Sequence, residues 1–499
     1  MSSRPKPPSA VEKKHVKTCK ISPEGCTFLE DLFLRGLSNL EELDLSGCAI
    51  KVIDFGAMVV DVPKLKRLFL LGCERLRAIK WGSVEKQLEL IYIDTRPRTR
   101  TKRVLRCAQQ PSLGAKQKSF KLRVHAVIVD ARISRYLWAP IGHAGSNGCY
   151  NIKFTSSTSC SDGAVQLQPE AMEGKEMTVG SSDQRHYDAA KAAPYGDVFI
   201  KIGDGATLMQ DFPQGPVGQL DRHIEIGDGS RNVQIETETA DPFYGSFARL
   251  MQFYTQSLHV HDVSIYSNTI GSLYLRSLVW CRVERCPSLH VVFPPGSEKY
   301  NLSSRSEEYN GKLETVWASD LLMARCIWSK GFISENAKSP RYKSLRHLHL
   351  RHCPSLQYAL AMGLDSFPSL ETLHIIHCGS LRHVFVPGDE EHQHRSAEFP
   401  KLTTIHLHDV PALREICEAA VTVAAPALET IRIRGCWSLR RLPALTGREP
   451  GMRMPTVEME KEVWDALEWD GVDTGHHEAP VHSRHYNYKR RMLRITVLR

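Results

Sequence analysis

The sequence predicts an α/β solenoid: a curved coil with parallel strands on its concave face, irregular or short helical return segments, and a non-repeat insertion. Three observations predict it. A nine-residue apolar pattern recurs early in the chain and again throughout its last third. Where clear copies follow one another they start 25 to 32 residues apart, as at Leu40 and Leu65 or Leu370 and Leu402. A stretch rich in Gly, Ser, Asp and Gln separates the two groups.

The pattern is read first at Leu40, Leu43, Leu45 and Cys48, then at Leu65, Leu68, Leu70 and Cys73. It returns at Leu345, Leu348, Leu350 and Cys353, at Leu370, Leu373, Ile375 and Cys378, and at Leu428, Ile431, Ile433 and Cys436. Leu402, Ile405, Leu407 and Val410 keep the spacing with Val in the last slot, and Leu278, Cys281, Val283 and Cys286 keep it with Cys in a Leu slot. Weaker copies start near Leu88, Val124 and Leu313. L-x-x-L-x-L-x-x-C is the strand signature of a leucine-rich repeat. Side chains alternate along a strand, so both apolar residues of L-x-L point inward and the residue between them points out. One such strand cannot bury its apolar side alone; stacked neighbours can.

The last slot explains six of the fourteen cysteines (48, 73, 286, 353, 378 and 436) as small buried hydrophobes with a weak S–H donor, with no disulfide required. Five copies continue as C-x-x-L, with Leu76, Leu289, Leu356, Leu381 and Leu439 expected to open the return segment. Val62-Pro63, Phe367-Pro368, Phe399-Pro400 and Ala425-Pro426 open repeats, where proline stops helix and favours extended backbone before it.

The expected organisation is a basic tail (1–25), a first repeat block (26–138), an irregular insertion (139–246), a second repeat block (247–443), and a cap with a basic tail (444–499). Ile200-Lys-Ile202-Gly-Asp-Gly205 and Ile224-Glu-Ile226-Gly-Asp-Gly229 read as short strands ending in Asp-Gly turns. A calcium-loop reading of them lacks ligands at the required spacing. Gly388 to Glu398 reads as a polar loop lengthening one coil. In the cap, Val457, Met459, Val463, Trp464, Leu467 and Trp469 offer apolar cover, and Glu458 to Glu468 reads as a short helix.

Hydrophobic residues at 42% and charged residues at 24% place the chain among globular proteins rather than disordered ones. No stretch approaches the roughly 20 consecutive apolar residues of a spanning helix. Met1 to Lys20 is polar and basic without an apolar core, so no secretory signal is expected. The predicted location is the cytoplasm, with the nucleus as a second address. The net charge of +9 is concentrated in Lys13, Lys14, Lys17 and Lys20, in Arg96 to Arg103, and in Arg484 to Arg499. Solvated tails and a loop account for these runs; nuclear import or nucleic-acid contact is the sharper alternative.

Phe367-Pro-Ser-Leu-Glu-Thr-Leu-His-Ile, Gly435-Cys-Trp-Ser-Leu-Arg-Arg-Leu-Pro443 and Trp464-Asp-Ala-Leu-Glu-Trp469 resemble the C-terminal repeats of plant intracellular nucleotide-binding leucine-rich-repeat disease resistance proteins. That resemblance implies a protein-recognition domain in plant defence, as the sensor, ligand-binding or autoinhibitory part of a receptor. It also implies a protein partner, a pathogen effector or a self domain. The family's nucleotide switch is not matched: no G-x-x-x-x-G-K-[ST] occurs, and Gly174-Lys175 lacks the spacing and the Ser/Thr. A stand-alone repeat adaptor, for example a substrate receptor, is the alternative, with a basic nucleic-acid binder behind it.

Equivalent slots of stacked repeats form columns on the concave face. The middle slot reads Asp44, Phe69, Arg282, His349, His374, His406 and Arg432, flanked by His347, Arg351, His408 and Arg434. The predicted contact set is Phe69, Arg282, His347, His349, Arg351, His374, His406, His408, Arg432 and Arg434. Arg and aromatic side chains suit an interface with an acidic partner surface. Exposed histidines there predict binding that changes between about pH 5 and 8, and a His349 with little part in stability. A zinc ion shared by stacked histidines is the lesser reading, because the ribbon is open and shows no closing carboxylate. No catalytic constellation is found, so no enzyme activity, cofactor, metal, membrane or small-molecule substrate is expected.

Overall fold

A computed structural model of the chain describes residues 18–23, 26–34, 37–55, 62–82, 84–96, 121–130, 133–155, 221–227, 250–251, 253–263, 275–293, 311–328, 342–362, 367–387, 395–418, 421–443, 445–446 and 455–468. The chain divides into two units, Met1–Ser157 with Arg222–Arg499, and Thr158–Asp221. Outside the described residues lie Lys13 to Lys17, the basic runs from Arg98 and from Arg484, Gly174-Lys175, the Ile200 to Gly205 piece, most of the Gly388 to Glu398 loop, and Trp469.

Among the described residues, fifteen strands form one sheet, and every neighbouring pair in it is parallel. All seven clear copies of the repeat supply strands, from Glu42–Asp44 and Arg67–Leu71 to Trp280–Glu284, His347–Arg351, Thr372–Ile376, Thr404–His408 and Thr430–Arg434. The weaker copies are Leu90–Asp94, Leu122–Ile128 and Thr315–Ser319. The inward leucines and isoleucines, such as Leu43, Leu68, Leu348, Leu373 and Ile431, are fully buried. Each contributes about 1.5–3 kcal/mol by leaving water.

The insertion expected over 139–246 is narrower in the structure. Gly148–Phe154 and Arg222–Ile226 are strands of the same sheet, paired to each other and to the strands on either side. Ser257–His261 continues it as a repeat with Thr255 and Val263 in the outer slots. Tyr150, Ile152, Phe154 and Thr255 are buried where leucine was sought. The slot demands burial and an inward direction, which several side chains satisfy.

A register change separates the two repeat blocks. Leu70, the second leucine of its L-x-L, is followed across the sheet by Ile93, Ala126, Ile152, Ile224 and Leu258, and then by Cys281, Val316 and Leu348. Leu348 is the first leucine of its own L-x-L. The ladder has therefore slipped by two residues across the long strands Leu122–Ile128 and Gly148–Phe154. A slip of one would turn every side chain to the wrong face; a slip of two keeps inside and outside intact.

The turns repeat as faithfully as the strands. The four proline-opened repeats place Pro second in a turn closed from Leu65 N to Val62 O, Leu370 N to Phe367 O, Leu402 N to Phe399 O and Leu428 N to Ala425 O, at 3.1–3.2 Å. The C-x-x-L leucines are buried, and their amides bond the carbonyls of the cysteines before them. The return segments include helix Ser134–Ala144, which buries Leu137 and Ile141 and ends at Gly145 with φ 55°. Others form short parallel strands of their own, as in Tyr358–Met362, His383–Pro387 and Glu415–Cys417.

Where nine of the strands leave the sheet, the residue before the Cys slot is left-handed. Gly47, Gly72 and Gly435 fill it at φ 69° to 75°, and Asp262, Arg285, Asp320, His352, His377 and Asp409 fill it at φ 50° to 56°. A side chain there costs about 1–2 kcal/mol. The conformation aims the amide at the next coil: His352 N bonds Ile376 O at 2.8 Å, His377 N bonds His408 O at 2.8 Å, and Asp409 N bonds Arg434 O at 2.7 Å. At the final repeat, Gly435 N instead bonds Glu460 Oε1 at 2.8 Å. The cap around it is strand Thr456–Glu458 and helix Lys461–Asp465, with Val457, Met459, Val463 and Leu467 buried beneath.

Candidate functional site

The face of the sheet opposite the core carries rows of side chains fixed by the ladder. One row runs Phe69, Tyr92, His125, Asn151, His223, Ser257, Trp280, Thr315, His347 and Thr372. The next runs Lys153, Glu225, His259, Arg282, Trp317, His349, His374, His406, Arg432 and Glu458. A third runs His261, Glu284, Ser319, Arg351, Ile376, His408 and Arg434. The register change thus takes Phe69 out of the His349 row and places it in the His347 row, correcting the single column expected.

In the first row Phe69 stacks on Tyr92 with centroids 6.5 Å apart, and Tyr92 stacks on His125 at 4.9 Å. All three are half-buried, an apolar ledge with polar edges. His347 Nδ1 lies 2.8 Å from Thr372 Oγ1. In the second row the rings pack one against the next: Trp317 and His349 at 5.0 Å, His349 and His374 at 4.9 Å, His374 and His406 at 5.4 Å. Strands about 4.8 Å apart make this contact unavoidable for ring side chains.

These histidines are not the exposed contacts that alternation predicted. His349, His374 and His406 are each 1% exposed, and His408 is 8% exposed. Ring-on-ring packing takes part of that surface, since alternation settles which side a residue faces and not what lies beside it. Burial, with His374 and His347 close by, holds His349 well below its ordinary value. Burial pushes His406 down to about 2 and His408 down to about 4. All three are neutral near pH 7, and the expected titration window of about pH 5 to 8 moves lower for them.

The arginines differ in their engagement. Arg432 and Arg434 both meet Glu458, at 3.4 and 2.5 Å. Arg282 bonds Glu284 at 2.7 Å and lies over the Trp317 ring, 5.4 Å from its centroid. Arg351 is half-buried and has no ion pair among the described residues.

Sequence reasoning missed the densest polar cluster on this face. Glu225, His259 and Glu284 are buried at 4–5% exposure. His261 reaches Glu225 Oε1 from Nε2 at 2.9 Å and Asp262 Oδ2 from Nδ1 at 2.8 Å. His259 Nε2 lies 3.1 Å from Glu284 Oε1, Lys153 Nζ lies 2.9 Å from Glu225 Oε1, and Arg285 forks onto Asp262 at 2.7 and 2.9 Å. Burial lowers His261, but its bonds to Asp262 and Glu225 outweigh it and raise the imidazole to about 9. Burial alone would raise Glu284; the bond from His259 and the charge of Arg282 pull it below the usual carboxylate range. The signal was the alternation Leu258-His-Val-His261, concealed by Thr255 in the leucine slot.

The buried thiols of the repeat strands and slots are structural. Cys73 Sγ lies 3.3 Å from Leu45 O and Cys286 Sγ lies 3.4 Å from Glu284 O, each bonding a carbonyl. Burial pushes Cys281 and Cys436 up to about 12 and Cys286 up to about 11, far from a reactive thiolate.

Residues 333–446 match the family model described as plant disease resistance protein RPS2-like, leucine-rich repeats. Over 235 residues the chain is 24% identical to an Arabidopsis thaliana protein named for disease resistance, At4g19050, in a match that covers 46% of this chain and 16% of that protein. With the parallel ladder and its repeating turns, these likenesses make the chain a leucine-rich-repeat solenoid, similar over residues 333–446 to the repeats of plant disease resistance proteins.

Proposed function

We infer that the sheet face of this chain recognises another protein in plant defence, as the sensing part of a resistance receptor acting in the cytoplasm. The observation that carries this reading is the continuous set of rows, which places the aromatic ledge of Phe69, Tyr92 and His125 and the cation of Arg351 on one sheet. Large rigid rings and arginine are the residue types that dominate protein interfaces. Because Glu458 already occupies Arg432 and Arg434, the acidic preference of the partner rests chiefly on Arg351. The thiols that bond carbonyls support a reducing compartment.

The test is genetic. Plants lacking the chain are challenged with a panel of pathogens, and loss of resistance to at least one strain is expected. The wild-type chain restores it, and Arg351→Glu does not. Unchanged resistance across the panel removes the defence role. Duplex DNA and RNA offered at two salt concentrations decide the alternative, because a nucleic-acid binder loses affinity steeply as salt rises.

A further inference from the structure

Residues two apart on a strand share a face, and the residue opposite on the neighbouring strand shares it too. His259 and His261 are two apart on Ser257–His261, and Glu225 lies directly opposite His259 in the ladder. One donor atom from each of the three lies within 4.8 Å of the others, and the two imidazole centroids are 4.6 Å apart. Each imidazole also sets one ring nitrogen against a carboxylate, His261 Nδ1 against Asp262 at 2.8 Å and His259 Nε2 against Glu284 at 3.1 Å. Such carboxylates fix the ring and its tautomer and make the opposite nitrogen a better donor.

A Cβ added to Gly227 would lie 2.3 Å from the His261 ring, so only glycine lets the imidazole take this position. The ring is seated in a place made for it, with Nε2 aimed at Glu225 Oε1, 2.9 Å away.

We propose that Glu225, His259 and His261 bind a divalent transition-metal ion, with Asp262 and Glu284 orienting the two imidazoles. Two imidazoles and one carboxylate are a donor set for zinc and its neighbours rather than for calcium or magnesium. Tetrahedral bonds of about 2.0–2.2 Å set donor atoms about 3.4 Å apart, so the 2.9 Å pair of His261 and Glu225 opens slightly and the wider pairs close by up to about 1.4 Å, within the reach of side-chain rotation. The ion takes the place of the proton between His261 Nε2 and Glu225. Lys153 Nζ, 2.9 Å from the same carboxylate oxygen and a third exposed, swings toward solvent as the ion enters. Three protein ligands leave one coordination position open. The site stands independently of the recognition reading, since it lies within the sheet and needs no partner.

Cobalt(II) is the probe, because its visible spectrum separates nitrogen and oxygen ligands from thiolate. The full chain, stripped of metal, is expected to take up one tight ion with no thiolate charge-transfer band, and zinc(II) is expected to displace it. His261→Gln and Glu225→Gln each weaken binding at least about tenfold, and Lys153→Met, which removes the competing cation, tightens it. Absence of uptake, a thiolate spectrum, or unchanged affinity in folded His261→Gln and Glu225→Gln chains overturns the proposal. Should those two variants fail to fold by circular dichroism, X-ray absorption of the cobalt-loaded wild type decides. Two imidazoles and oxygen support the site; sulfur, or no imidazole, overturns it.

Discussion

His377 Nδ1 lies 2.8 Å from Asp409 Oδ2, and both residues hold left-handed backbone, at φ 56° and 54°. The same pairing joins His352 to Asp320 at 2.6 Å and Arg285 to Asp262 at 2.7 Å. Successive coils thus fill a position that favours glycine with side chains that bond one another. These side-chain bonds offset part of the backbone cost, which Gly47, Gly72 and Gly435 avoid without them.

Replacing His377 separates the two contributions. His377→Ala loses the bond to Asp409 and keeps the strain, whereas His377→Gly loses the bond and relieves the strain. The glycine variant is expected to be the more stable of the two by about 1 kcal/mol. Urea denaturation measures this, and an alanine variant of equal or greater stability would show that the backbone is not strained there.

Leu348→Ala removes a fully buried side chain and is expected to destabilise by about 2–5 kcal/mol. His349→Ala, one residue on, was expected from alternation to be neutral. At 1% exposure and packed between Trp317 and His374, the ring's removal is expected to cost about 1–3 kcal/mol. A neutral His349→Ala in the same denaturation experiment would return the ring to solvent.

Glu460 is 1% exposed, and its Oε1 accepts the amide of Gly435, where earlier coils use a backbone carbonyl. Glu460→Ala leaves that buried amide without its acceptor and should cost about 1–3 kcal/mol. Glu460→Gln keeps an oxygen in place and is expected to recover most of the loss. Hydrogen exchange at Gly435 reports the same event locally: fast in the alanine variant, slow in wild type.

His406 and His408 titrate at about 2 and about 4 in the folded chain and near 6.5 when unfolded. Between those values the unfolded chain binds more protons, so their contribution is complete above about pH 6.5 and is lost as pH falls, through about 4 for His408. His408→Asn is therefore expected to flatten the decline in stability between about pH 6.5 and 4. An identical decline in wild type and variant would place the acid sensitivity elsewhere.

Thiol labelling tests the repeat from the other side. Cys19 and Cys26 are exposed, whereas Cys48, Cys73, Cys281, Cys286, Cys353, Cys378 and Cys436 are buried. In the native chain a thiol reagent should reach the first two at once and the others only after denaturant is added. Peptide mass spectrometry assigns the labels, and early labelling at Cys353 or Cys378 would contradict the packing of that slot.

The leucine pattern made the strands and their direction legible wherever its slots held Leu, Ile or Cys, as at Leu348 and Cys353. It failed at Tyr150, Phe154 and Thr255, which meet the same need for burial with other shapes. The two-residue slip between Leu70 and Leu348 could not be read, because each strand taken alone looks the same on either side of it. Burial of His349 escaped for a similar reason: sequence spacing orients a side chain but does not count its neighbours across strands. The Glu225, His259 and His261 cluster draws on two strands, the first of them a short isolated piece in sequence with no repeat beside it.

The slip between the two blocks bears on how such a chain can change over generations. Repeats within one block are interchangeable parts, since each presents the same step to its neighbours. A coil moved from the first block into the second would still bury its leucines, yet its outward residues would land one row away, displaced by about 6.6 Å. Duplication or loss of coils is thus silent for folding on both sides of Gly148–Phe154, while any exchange across that strand rewrites the surface offered to a partner.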